Sequence, residues 1–302
     1  MSKANIYFVI TIDTESDHSY DWAKSNPLSF KSITESIPNV LEPLFKRYGA
    51  VATYLLSTEV LENYESVNVM KSIVGCELGT HLHPEYIQPK KKYFEYAGTH
   101  SLDFSNNYDP VIERDKIGNL TKLFKENIGY QPLVYRAGRY GFGYNSALSL
   151  MNFGYLVDTS VTPHISWKDA GGPDFRGFPD QPYFIKSPDG LDCLLEVPVS
   201  VIFLNNIYKF FNKPVELRPT FSNSDKMKRL IHKFIELYDS ENIIVLNMMF
   251  HSMDFYPGAS PCSKNQEDCA RFVNYVKVVI EYCKEIGVKF CKLSQIRALY
   301  KT

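Results

Sequence analysis

Residues 5–15 read NIYFVITIDTE. The segment from Asn5 to Asp13 is a run of β-branched and aromatic residues, which predicts a buried strand. The strand ends in two carboxylates, Asp13 and Glu15, which stand two positions apart. Because side chains at that spacing on an extended segment point to the same side, the sequence predicts an acidic pair at the carboxyl end of the first strand.

The remaining chain alternates between strand patterns and amphipathic helix patterns. Repeated alternation of this kind implies a mostly parallel sheet with helices packed outside it. The predicted strands are Asn5–Asp13, Ala50–Leu56, Cys76–His83, Leu133–Arg136, Tyr155–Ser160, Cys193–Val201, Asn242–Phe250 and Val288–Leu293, and the predicted helices are Lys31–Tyr48, Val67–Val74, Ile112–Ile128, Asn145–Phe153, Asp225–Tyr238 and Gln266–Ile286.

Two architectures satisfy this alternation, a doubly wound open sheet and a (β/α) barrel. The polar residues that stand at or just past the ends of separate predicted strands are Asp13, His81, Arg136, Asp158 and His251. Catalytic residues gather at that face in barrels, and no glycine-rich phosphate loop follows the first strand. The pattern favours one barrel-like domain over residues 1–302, with long loops at residues 84–110 and 161–192 that shape a cleft.

Composition and charge disfavour several classes of protein. The 302 residues carry a formal net charge of −1, with a pI near 6.7, which gives no electrostatic basis for binding nucleic acid. No run reaches the roughly 18 apolar residues of a membrane helix, and the first apolar run is too short for a signal peptide. Six scattered cysteines without a C-x-x-C pair are typical of free thiols in a reducing compartment. We therefore expect a soluble cytoplasmic protein with no membrane insertion.

A histidine cluster in the first third of the chain has the residue types that bind metal ions. Residues 79–85 read GTHLHPE, so that His81 and His83 share one face of an extended segment and Glu85 follows on it. Two histidines and one carboxylate with open positions form a known catalytic metal site. Taken alone, the cluster is equally compatible with one packed and one surface histidine.

Two further clusters have residue types suited to transition-state stabilisation and acid catalysis. Residues 135–141, YRAGRYG, contain Arg136, which could orient a carboxylate, and glycines that would let backbone amides approach an oxyanion. His251 ends a predicted strand and Asp254 follows three residues later, which suits a general acid stabilised by a carboxylate. Each cluster alone also fits a surface loop or ordinary packing, but together they supply a base, metal ligands, an orienting arginine and an acid.

These motifs resemble, in their order along the chain, those of the polysaccharide deacetylase family (NodB homology, carbohydrate esterase family 4). The similar stretches are TIDTE at 11–15, GTHLHP at 79–84, YRAGRYG at 135–141, DTSVTP at 158–163 and MMFHS at 248–252. The residues in these motifs are most similar to those of a bacterial subgroup called WalW-type. The resemblance implies a distorted (β/α)7 TIM-like barrel of the NodB type, a divalent metal, commonly zinc, and hydrolysis of an N-acetyl or O-acetyl group.

The resemblance also implies a role for several residues. Asp13 would be the general base, His81 a metal ligand and His251 the acid that protonates the leaving amine. Arg136 would hold Asp13 in place, and the backbone amide of Tyr140 would face the oxyanion. The carboxylate that tunes His251 would be either Asp158 or Asp254.

Two departures from the family pattern affect the metal ligands. Thr14 stands where the family has a second aspartate, which makes Glu15 the natural substitute. Glu85 stands where the family has its second histidine, so that His83 is the expected third ligand and Glu85 the alternative.

We therefore expect a metal-dependent deacetylase that acts on an N-acetylated sugar or glycan precursor. One alternative is an amidohydrolase of the same fold that acts on a non-sugar C–N bond, and a small closed pocket would favour it. The other is a catalytically silent carbohydrate-binding protein, to which the departures at Thr14 and Glu85 point.

Overall fold

The computed structural model describes residues 4–204 and 213–300. Its core is a curled, mostly parallel sheet. The strands are β1 (Asn5–Thr14), β2 (Ala52–Leu56), β3 (Glu77–Leu82), β4 (Val134–Ala137), β5 (Val157–Asp158), β6 (Tyr183–Lys186), β7 (Cys193–Glu196), β8 (Val201–Ile202), β9 (Val215–Glu216), β10 (Ile243–His251) and β11 (Lys289–Phe290). In the main sheet they follow the order β10-β1-β2-β3-β4-β5-β7-β6, and β11 pairs with β1. All neighbours on this path run parallel except β6 and β7, which form an antiparallel hairpin.

β1 lies inside the sheet and is apolar on both faces. From Phe8 to Thr14 every side chain is buried, as is typical of parallel strands that are covered on both sides. Its neighbours are β10 on one side and β2 on the other. This position places the polar residues that follow β1 near the centre of the carboxyl-terminal edge.

Helices cover the outer face of the sheet. A π-helical segment, Ser32–Leu41, continues directly into α1 (Glu42–Tyr48). The other helices are α2 (Thr58–Glu62), α3 (Tyr64–Ser72), α4 (Pro110–Ile128), α5 (Tyr144–Asn152), α6 (Ser224–Leu237), α7 (Gln266–Glu285) and α8 (Leu293–Arg297). The helices α4, α6 and α7 are preceded by the N-cap residues Asp109, Asn223 and Asn265. The side chain of each accepts a hydrogen bond from a backbone amide in the first turn. Within the described ranges, none of these helices is both long and apolar enough to cross a membrane.

Backbone and side-chain hydrogen bonds join the two ends of the main sheet, which no strand pairing of the described residues closes. Ser200 N donates to Asn247 O (3.1 Å), and Asn247 N donates to Ser200 Oγ (2.8 Å). The amide side chain of Gln181 bonds both Val245 N and Val245 O, at 2.9 and 3.0 Å. These contacts form a seam between β10 and the segments beside β7, and they turn the curled sheet into a distorted barrel.

The predicted alternation of strands and helices is confirmed, with differences at several elements. The strand expected over Cys193–Val201 is split into β7 and β8, because the chain leaves the sheet after Glu196 to form the seam. β6 lies in a segment expected to be irregular, and it forms because the Ser187–Asp192 turn folds it back onto β7. The helix expected at Val67–Val74 is α3, which begins and ends earlier.

Candidate active site

The polar residues predicted at the strand ends meet at one edge of the barrel. Asp13 on β1 is the register partner of His251 on β10. His81 on β3 is the register partner of Arg136 on β4. Parallel strands place their carboxyl ends side by side, which is why residues far apart in sequence come together here.

Glu15, His81 and His83 form a compact group whose ligand atoms lie within 4.8 Å of one another. His81 Nε2 is 3.4 Å from Glu15 Oε1, and His83 Nε2 is 3.2 Å from Glu15 Oε2. The two Nε2 atoms are 3.1 Å apart. All three side chains are buried.

Hydrogen bonding at His81 indicates that this group suits a cation. His81 Nδ1 lies 3.1 Å from the backbone oxygen of Arg136. Because a carbonyl oxygen only accepts, Nδ1 carries a hydrogen, and in the neutral ring the lone pair of Nε2 faces Glu15 and His83. Although burial disfavours its charged form, His83 and His81 hold the pKa of Glu15 well below its usual value. A carboxylate and two imidazole nitrogens that converge in this way match the ligand preference of zinc.

Arg136 fixes Asp13 beside the group. Its Nη1 donates to Asp13 Oδ1 at 2.7 Å, while Nη2 donates to Thr11 Oγ1 at 2.6 Å and Nε to the Thr159 backbone oxygen at 2.8 Å. Burial opposes charge on Asp13, but Arg136, together with His81 and His251, lowers its pKa. Asp13 is therefore a carboxylate whose second oxygen, Oδ2, is free to act on a ligand.

His251 lies on the other side of Asp13 and Glu15 from His81 and faces the same cavity. Its Nε2 is 3.9 Å from Asp13 Oδ2 and 3.8 Å from Glu15 Oε1. On its other side, Nδ1 is 3.6 Å from Asp254 Oδ2 and 3.3 Å from Arg218 Nη2. Since Arg218 can only donate, Nδ1 accepts from it when the ring is neutral, and Nε2 then carries the hydrogen, towards Asp13 and Glu15.

Of the two carboxylates considered for tuning His251, the structure places Asp254 beside it. Asp254 lies in a helical turn after β10, and its Oδ2 also accepts from His251 N at 3.2 Å. Asp158 lies elsewhere, on β5, and accepts from Ser160 N at 3.0 Å and from Ser160 Oγ at 2.8 Å. Asp158 therefore belongs to a separate buried network with Glu196 and not to the site around His251.

Tyr140 lines the cavity above the site. It follows Arg139 in a tight turn in which the two residues have φ values of 60° and 51°. The Tyr140 ring stacks on Trp167, with ring centroids 5.4 Å apart. The turn begins at Gly138, where a Cβ atom would lie 2.7 Å from Leu82 O and 2.8 Å from His83 Nδ1. Only glycine lets the turn pack this closely on His83.

Glu85 lies behind the group formed by Glu15, His81 and His83, not within it. Its side chain is 0% exposed, its Oε1 is 2.9 Å from Arg139 Nη2, and His83 Nδ1 is 3.8 Å from the same oxygen. Glu15, His81 and His83 form the group without it. The geometry therefore places His83, and not Glu85, beside the other two candidate ligands.

A cavity of about 330 Å³ opens over these residues. The loops predicted to shape a cleft contribute Phe104 and Trp167 to its wall, and the aromatic residues Trp22, Tyr140 and Phe221 complete it. Aromatic faces suit the apolar faces of sugar rings, and the polar floor suits a hydrolytic reaction.

Three charged residues near the site were not predicted from the sequence. Buried Lys24 donates from Nζ to Glu59 Oε1 at 2.5 Å and lies 3.9 Å from Glu15 Oε2. Arg218 lines the cavity beside His251. Lys24 and Arg218 lie in irregular segments and Glu59 lies in the short helix α2. Nothing in their sequence spacing indicates that they face the site.

The chain is similar over nearly its whole length to solved structures of polysaccharide deacetylases. A probable polysaccharide deacetylase from Pseudomonas aeruginosa PAO1 matches with a TM-score of 0.59 at 14% identity, over 98% of this chain and 90% of that one. The PuuE allantoinase matches with a TM-score of 0.58 at 15% identity, over 98% of this chain and 90% of that one. A Parabacteroides distasonis protein described as a glycoside hydrolase/deacetylase matches with a TM-score of 0.67 at 10% identity, over 99% of this chain and 73% of that one.

No protein-family model matches the sequence, and no curated protein matches it. At these identities the structural similarity shows the fold. It confirms the predicted (β/α)7 barrel of the NodB type, whereas the WalW-type subgroup stays a prediction. The chain has the fold of the polysaccharide deacetylases.

Proposed function

We propose that the protein is a single-domain, metal-dependent hydrolase that removes an acetyl group from an N-acetylated sugar or glycan precursor. One observation carries the proposal: the group Glu15, His81 and His83 lies between a fixed carboxylate, Asp13, and an acid histidine, His251. A divalent metal, which we propose to be zinc, would be held by the three residues of that group. When bound, it would polarise the acyl carbonyl and make water a stronger acid.

Asp13 is proposed to act as the general base. Its Oδ1 is held by Arg136, so Oδ2 is the oxygen that takes a proton from the attacking water. The water oxygen bonds to the acyl carbon. The backbone amide of Tyr140, in the turn above the site, is proposed to stabilise the negative charge that develops on the carbonyl oxygen.

His251 is proposed to act as the general acid. The ring acts in its protonated form: its Nε2 faces the site from the side opposite His81, donates a proton to the nitrogen as the C–N bond breaks, and leaves a neutral imidazole. Asp254 orients the ring and stabilises the charge that it carries during the reaction. The products are acetate and a free amine, so that atoms and protons balance.

The walls of the cavity support a carbohydrate substrate. Trp22 and Trp167 are positioned to stack on a sugar ring, and a volume of about 330 Å³ admits a unit near the size of a monosaccharide. A substrate of that size fits a precursor, and we propose that the reaction takes place in the cytoplasm.

Acetate release from N-acetylated sugars, measured together with metal content, tests the proposal. Asp13→Asn should retain stoichiometric metal and lose activity by at least about a hundredfold, since general base catalysis contributes about 10²–10⁴. His81→Ala should lose both the metal and the activity. Asp225→Asn, which changes an exposed carboxylate on α6, is the matched control and should behave as the unmodified chain. Near-normal rates in Asp13→Asn would overturn the assignment.

The size of the cavity supports a second candidate, an amidohydrolase that acts on a small non-sugar C–N bond. A cavity of about 330 Å³ suits such a substrate as well as it suits a monosaccharide. Turnover of small cyclic or linear ureides, with no acetate release from any N-acetylated sugar, would favour this candidate.

A further inference from the structure

Arg218 is a buried arginine that faces the cavity without a carboxylate partner. It is 5% exposed and lines the cavity beside His251. Its Nε donates to Thr220 Oγ1 at 3.1 Å, its Nη2 is 3.3 Å from His251 Nδ1, and its guanidinium lies 4.0 Å from the centre of the Phe221 ring. Across residues 4–204 and 213–300, Nη1 has no hydrogen-bond partner.

The other two arginines at this end of the barrel are paired with carboxylates. Arg136 bonds Asp13 at 2.7 Å, and Arg139 is 2.9 Å from Glu85. No Asp or Glu oxygen of the described chain lies within 4 Å of Arg218, and residues 205–212 contain no acidic residue. Glu216 and Asp254 stabilise the charge of Arg218 from beyond ion-pair distance, and Nη1 stays available to an anion that enters the cavity.

We propose that Arg218 binds an anionic group of the substrate, which makes the substrate class an anionic N-acylated sugar of about monosaccharide size. The inference rests on the proposed function and adds the charge of the substrate to it. A phosphate and a carboxylate both offer the paired oxygens that a guanidinium binds.

The geometry fixes where that anionic group lies. Arg218 contacts Nδ1 of His251, while the opposite nitrogen of the same ring is 3.8 Å from Glu15. The anion would therefore lie about one imidazole ring away from the metal-binding group, within the span of a single sugar. Phe221 and Thr220 hold the guanidinium in this position.

Calorimetric binding to the full chain tests the proposal independently of turnover. The probes are N-acetylglucosamine, its 6-phosphate and N-acetylmuramic acid, so that a neutral sugar is compared with a phosphate and a carboxylate. At least one anionic probe should bind about tenfold more tightly than the neutral one, as expected for a charge-assisted contact, and the difference should shrink at high salt.

Substitutions separate ligand binding from a purely structural role. Arg218→Met should abolish the preference for the anionic probe and leave binding of the neutral sugar within about twofold. Arg218→Lys keeps the positive charge but lacks the planar guanidinium with its paired donors, and it should retain part of the preference for the anionic probe. Arg114→Met, at an exposed arginine on α4, is the control.

Two results would overturn the inference. One is equal affinity for neutral and anionic probes in the unmodified chain. The other is an equal loss for all three probes in Arg218→Lys or Arg218→Met, which would mean that Arg218 only supports His251. If the protein prefers the anionic probes but releases no acetate, the result counts against the proposed function. If it releases acetate but does not prefer the anionic probes, the result counts against the inference alone.

Discussion

Gly138→Ala is expected to weaken metal binding by displacing one candidate ligand. The added Cβ atom would lie 2.7 Å from Leu82 O and 2.8 Å from His83 Nδ1, whereas ordinary contacts begin near 3.4 Å. Leu82 O belongs to a strand of the barrel and has little freedom to move. The imidazole of His83 must therefore shift by about 3.4 − 2.8 = 0.6 Å.

That displacement is large for a metal ligand. Ligand distances in metal sites are held to about 0.2 Å, and disturbing the residues that support a ligand costs about 10–100-fold in affinity. We expect Gly138→Ala to weaken zinc binding within that range. Overpacking should also lower the stability of the metal-free protein by about 1–3 kcal/mol.

Competition with a chromophoric chelator measures the zinc affinity, and thermal unfolding of metal-free protein measures the packing cost separately. Gly177→Ala is the matched control, because a Cβ atom at that position meets nothing within 4 Å. Zinc affinity within twofold of the unmodified chain in Gly138→Ala would refute the reasoning, since it would show that His83 is not a ligand in this position.

Two further predictions concern buried carboxyl groups. Burial raises the pKa of Glu113 to about 7 from its usual value of 4.5. As the pH rises, the carboxyl group therefore loses its proton in the unfolded chain before it does so in the folded one. The free energy of unfolding consequently falls between about pH 4.5 and pH 7. Glu113→Gln should remove that loss and raise the free energy of unfolding by up to about 3 kcal/mol above pH 7. Urea titrations at pH 4.5 and pH 8 measure this free energy. An equal change in it at both pH values would contradict the prediction. Asp254→Asn should lower turnover about tenfold or more by removing the carboxylate beside His251, whereas Asp158→Asn should leave initial rates within about twofold, and the reverse order would assign the tuning role to Asp158.

The sequence predicted the parts of the site that strand ends bring together. Asp13 and His251 could be placed at one edge because each ends a strong apolar strand, and parallel strands end on the same side. The distance of 3.9 Å between Asp13 Oδ2 and His251 Nε2 follows from the direct pairing of β1 with β10. His81 and His83 could be predicted in the same way, from their alternation along β3.

The sequence did not predict features that depend on how irregular segments fold. Asp158 and Asp254 were equal candidates because both follow a strand, and the choice depends on a helical turn that folds Asp254 back onto His251. Arg218 and the Lys24–Glu59 pair have no periodic signal, since tertiary contacts of loops determine their burial. The short hairpin strand β6 was missed for the same reason.

The seam that joins β10 to the segments beside β7 has a consequence for motion. β10 is attached to β1 by a ladder that extends from Ile243 to His251, but on its other side only scattered hydrogen bonds hold it. Local opening takes place where the fewest contacts must break. Amide hydrogens of Val245 and Asn247, which point into the seam, are therefore expected to exchange with solvent deuterium faster than those of β10 that bond to β1. Since β10 ends at His251, local opening of the seam would move His251 relative to Glu15, His81 and His83. The width of the site would then depend on the least stable side of the barrel.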